Sequence, residues 1–91
     1  MEIKTIEDDF KVKLDSYINK WDSDSRILHL FEEVGEFAEI ILHYKGIKSP
    51  KKDLYDIKVA LADIIEDVYA ISILNNITLE ELTSQVLKKN E

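Results

Sequence analysis

Apolar residues near the start of the chain, Ile3, Ile6, Phe10, Leu14, Tyr17, Ile18 and Trp21, recur at steps of three and four, the period of one helical face. This predicts a first helix over about 3–20. The stretch from Trp21 to Ser25 is rich in residues whose short side chains cap helices, so a second helix should start from Asp22, Ser23 or Asp24 and run to about Tyr44. Gly46 can supply the left-handed residue after it, and Ser49 followed by Pro50 offers a cap and a first helical position for a third helix to Leu74. Asn75 and Asn76 break the pattern. Thr78 with Glu81 three residues on makes a capping box for a short fourth helix carrying Leu79, Leu82, Val86 and Leu87. The chain reads as one all-α domain over 1–91, without repeats or low-complexity segments.

Acidic residues interrupt these apolar faces. At ~100° per residue, Glu33 falls on the flank of the apolar face of helix two, and Glu36 lies one turn on, about 60° away. Glu32 and Glu39 face further toward solvent. On helix three, Asp56, Asp63 and Asp67 fall within roughly 20–40° of one another, bordered by Val59, Ala60, Ala70 and Ile71. Like charges at i and i+4 destabilise a helix, and partial burial raises the cost. Helix three offers only Lys58 in its central turns, on the far side of the wheel, so these five carboxylates lack a local cation. A divalent ion held by oxygen ligands is the expected neutraliser, magnesium before manganese, and zinc is disfavoured. His29 and His43 lack the spacing of a di-iron bundle and read as surface or boundary residues.

Composition narrows the classes. Two glycines and one proline fit long helices, and 45% hydrophobic residues in only 91 make a small core, so subunit association is expected. A net charge of −7 disfavours nucleic acid as a partner and makes any phosphate ligand depend on a cation. The absence of cysteine excludes disulfides and thiolate metal sites. No apolar run suits a membrane span and no signal-peptide pattern opens the chain, so the default expectation is a cytoplasmic protein without membrane partners.

Glu32-Glu33-Val34-Gly35-Glu36 resembles the EExxE helix of the MazG-like nucleotide pyrophosphohydrolases, and Ala60-Leu61-Ala62-Asp63 is similar to their second metal motif, ExxD. The segment Asn76 to Glu81 resembles the turn and closing helix of that all-α nucleoside triphosphate pyrophosphatase superfamily, so the resemblance runs from about Trp21 to the C-terminus. It implies a four-helix domain completed by oligomerisation, as a homodimer or homotetramer. It also implies magnesium-dependent cleavage of a nucleoside triphosphate between its α and β phosphates, giving a monophosphate and pyrophosphate. Glu33, Glu36 and Asp63 would hold the metal, with Asp67 or Asp56 substituting where Ala60 stands in place of the motif's glutamate. Glu32 is the candidate for a supporting role or general base. Lys45 and Lys48 in the connection after helix two are candidates for phosphate contact, and Trp21 either packs in the core or stacks on a base. Because of Ala60, a weakened or inactive homolog that binds nucleotide or protein is the alternative.

Overall fold

The computed structural model describes residues 2–17 and 20–88 and shows four helices, α1 (Ile3–Asp15), α2 (Ser23–Tyr44), α3 (Leu54–Leu74) and α4 (Leu79–Leu87). No strand occurs among the described residues. The first helix ends earlier than its periodicity predicts, at Asp15, with Ser16 turning its hydroxyl onto the Lys13 carbonyl. The expected continuation through residues 18 and 19 lies outside the described residues.

Local chemistry sets the other boundaries. Asp22 caps α2 by accepting the Ser25 N–H at 2.8 Å, and Gly46, at φ 77°, takes the left-handed position after it. The third helix does not begin at Pro50. Asp53 caps it instead, accepting the Asp56 N–H while the Asp56 carboxylate accepts the Asp53 N–H, a reciprocal box that outcompetes the Ser49-Pro50 start. Thr78 and Glu81 close the same kind of box on α4, as their spacing predicts.

The long pair α2 and α3 makes by far the most extensive packing, and its short connection makes the two helices antiparallel. α1 and the residues that follow it are fastened to α3, by an edge-to-face contact of Phe10 with Tyr69 and by the Tyr17 hydroxyl donating to Glu66. α1 is fastened to α4 by Glu7, whose carboxylate accepts the Leu79 N–H at 2.6 Å. Among described apolar residues only Ala60, Ala70 and Leu79 are fully buried. Leu28, Phe31, Leu54 and Tyr55 are each about two-thirds or more exposed. No helix among the described residues is long and apolar enough to cross a membrane.

Candidate metal centre

The α2–α3 pair brings four carboxylates to one open cleft of about 290 Å³: Glu33 and Glu36 from α2, Asp56 and Asp63 from α3. Ala60, Ile40, Val59 and Tyr55 complete its wall, and among the described residues no lysine or arginine lines it. Glu33 sits deepest of the α2 pair, and burial first, then the charge of Glu36, push its carboxyl above the usual carboxylate range. His29 opposes that shift, while Asp63 and Asp67 add to it. The cleft is therefore a place where negative charge is held against its own repulsion.

Asp56 has a second duty. Its carboxyl is held below the ordinary range chiefly by the Asp53 N–H of the capping box, so one of its oxygens is spent on the helix start. Among the described residues no three carboxylates or imidazoles are gathered closely enough to enclose a metal ion as they stand. The donor set is nonetheless all oxygen and anionic, which is the chemistry magnesium prefers, and Glu33, Glu36 and Asp63 have oxygens free of the helix caps.

Asp67 is not part of this cleft, contrary to its expected role as a ligand. It is 1% exposed, with one oxygen accepting from the Arg26 guanidinium at 3.1 Å and the other 2.7 Å from His29 Nδ1. The stripe on α3 thus splits. Asp63 turns to the acidic cleft, while Asp67 is held by Arg26 and His29, which α2 supplies from across the pair. The lack of cations on α3 itself was not a lack of partners for Asp67.

Arg26 and His29 are the functional neighbours that periodicity does not reveal. His29 Nε2 lies 3.1 Å from Glu33, so the imidazole bridges Asp67 to the cleft. Partial burial lowers its proton affinity, but the hydrogen bond and charge of Asp67, aided by Glu33 and Glu32, outweigh this and raise its pKa above 6.5. The Glu33 side of this bridge was legible as an i, i+4 pair on α2, whereas Asp67 stands 38 residues from His29.

The remaining expected site residues lie elsewhere. Glu32 is exposed and does not border the cleft, and its visible effect is on the charge of His29. Lys45 is the exposed C-cap of α2, and Lys48 is paired with Glu39 at 2.7 Å, so neither lines the carboxylate cleft. Trp21 is 43% exposed, meets the His29 ring edge-on at 5.0 Å, and carries the Arg26 guanidinium 5.4 Å from its ring centre. It is neither a core residue nor a wall of the acidic cleft. Comparison of the chain with models of protein families, with curated proteins and with solved structures gives no match.

Proposed function

We propose that the chain is a magnesium-dependent nucleoside triphosphate pyrophosphohydrolase that works as a homo-oligomer. The observation that carries the reading is the convergence of Glu33, Glu36 and Asp63 from two antiparallel helices on one cleft that no described lysine or arginine lines. The resemblance of residues 32–36 and 60–63 to the two MazG-like metal motifs supplies the reaction class. Bound magnesium would offset the charge on the phosphate oxygens and lower the pKa of the attacking water. The protein's part is to hold the three carboxylates on facing helices, to keep Glu33 aimed by His29, and to leave the cleft open to a triphosphate. Asp67 belongs to the support of that arrangement rather than to the ligand set.

The exposed apolar surface supports the oligomer. The chain exposes 7045 Å², whereas a folded monomer of 10.6 kDa exposes about 5,500 Å². The excess on this one chain, about 1,500 Å², is nearly twice the roughly 800 Å² that each partner buries in a standard interface. Its radius of gyration, 15.3 Å, exceeds the roughly 12 Å of a compact chain this long.

A panel of canonical and modified triphosphates with magnesium, scored for pyrophosphate against phosphate, tests the activity. Pyrophosphate release that Glu36→Gln abolishes and Glu39→Gln leaves nearly intact is expected, since Glu39 is an exposed partner of Lys48. Equal effects of the two substitutions would mean the wrong face of α2 has been chosen. Ala60 favours a second reading, because it is a neutral, buried residue in the cleft wall where a fourth carboxylate would complete the motif. On that reading the protein binds nucleotide or a protein partner without turnover, and triphosphate binding with no pyrophosphate release would select it.

A further inference from the structure

A second cavity, also of about 290 Å³, opens between the last turns of α1, the residues leading into α2 and the end of α3. Its character is opposite to that of the acidic cleft. Leu14, Ile73, Leu74 and the Trp21 ring give it apolar walls, and Lys11, Lys20 and Arg26 stand on it against one carboxylate, Asp15. Lys11 is paired with Glu7 at 3.2 Å, so the charges that the cavity can offer an occupant are those of Arg26 and Lys20.

Arg26 makes this more than a surface coincidence. The residue is 8% exposed, yet it lines the cavity, and among the described residues its five N–H donors make one hydrogen bond, to Asp67. Its guanidinium is held between the Tyr17 and Trp21 rings, at 5.7 and 5.4 Å from their centres, which fixes the charge at the cavity wall. Lys20 is loosely held, 3.9 Å from Asp15, so its ammonium is available to an incoming anion.

We propose that this cavity is a second binding site, for a small planar aromatic anion of the nucleoside monophosphate class. The ring packs among Trp21, Leu14 and Ile73, and the phosphate meets Lys20 and Arg26. Such a cavity lies at the small end of ligand sites, which fits a monophosphate better than a larger nucleotide. Choosing a nucleoside monophosphate among aromatic anions rests on the reaction proposed above, of which it is the product. The chemistry of the cavity does not depend on that reaction. An occupant would touch Arg26, and through Asp67 and His29 the contact reaches Glu33 in the acidic cleft.

Trp21 is the only tryptophan in the chain and walls this cavity, so its fluorescence reports an occupant there. The experiment titrates the full chain with adenosine monophosphate, with adenosine and with ribose 5-phosphate, all in chelator so that no metal site contributes. A saturable change is expected with the monophosphate and a weaker one with either fragment. Lys20→Gln, an exposed change that spares the fold, should weaken the monophosphate about three- to tenfold and leave adenosine unaffected. Lys51→Gln should change neither. No saturable signal up to about 10 mM, enough to reveal millimolar affinity, would overturn the site. So would equal binding of monophosphate and adenosine, or indifference to Lys20→Gln. Failure of magnesium-dependent hydrolysis would leave this result standing, because no metal is present.

Discussion

At the scale of single residues, Asp67 separates structure from chemistry in the acidic stripe. A carboxylate 1% exposed and bonded to both Arg26 and His29 is a structural charge, and removing one member of such a pair leaves the other buried without its partner. Asp67→Asn should therefore destabilise the protein by about 3–5 kcal/mol, equally with magnesium and with chelator. Denaturant unfolding in both conditions checks this, and a loss confined to the magnesium sample would return Asp67 to the metal. Ala60→Glu should behave oppositely. Ala60 is 5% exposed and borders the cleft, so a glutamate there has only the cleft to enter. Without metal it should cost about 1–3 kcal/mol through crowding and like charge beside Asp56 and Asp63. With magnesium the sign should reverse, because the added carboxylate strengthens attraction for the cation. Identical destabilisation in both conditions would sink the metal assignment. The wheel puts Glu33 beside Glu36 on α2 and Asp63 beside Asp56 on α3, and all four line the one cleft. It could not separate Asp67 from Asp63, since what distinguishes them is the Arg26 and His29 side chains of the opposite helix.

At the scale of elements, the signals that proved legible are those that act within four residues. The caps at Asp22 and Thr78 and the left-handed Gly46 all bind or bend their own neighbourhood, and the helices they bound stand where the sequence puts them. The start of α3 is ambiguous in the sequence because Ser49-Pro50 and Asp53 both qualify locally, and the reciprocal Asp53–Asp56 bonds decide between them. Glu7 lies beyond any such reading, since its partner is 72 residues away. Its carboxylate sits at the N-terminus of α4, where exposed N–H groups favour negative charge. The Leu79 N–H, then Lys11, hold its pKa below the ordinary 4.5 against the opposing effect of burial. A depressed folded pKa contributes stability that is present above the unfolded value and lost as pH falls through the folded one. The α1–α4 contact should thus weaken below pH 4.5, and Glu7→Gln should flatten that dependence while lowering stability at neutral pH. Unfolding curves for both proteins at neutral pH and about one unit below 4.5 measure it. Parallel curves would show that Glu7 carries no special share of the acid response.

At the scale of the whole molecule, the chain has helices without a core large enough to hide their apolar faces. On α2, Leu28, Phe31, Gly35 and Ala38 follow one another at steps of three, four and three, the seam spacing of paired helices. Leu28 and Phe31 are each 70% exposed, and a methyl group added at Gly35 would meet nothing within 4 Å. In an isolated chain Gly35→Ala should then be harmless to packing and should stabilise the helix by about 0.5–1 kcal/mol. A second copy seated on this seam changes the sign, because its helix would approach most closely where the side chain is absent, and the methyl would force the two apart. Gly35→Ala should therefore weaken association while raising the helical stability of the dissociated chain, and Phe31→Asp should abolish association by placing a charge in the seam. Sedimentation across a concentration series, with unfolding measured at the dilute end, separates the two contributions. A parent protein that stays monomeric at every concentration, or a Gly35→Ala variant that gains stability with its assembly unchanged, would show that α2 does not meet another copy along this face.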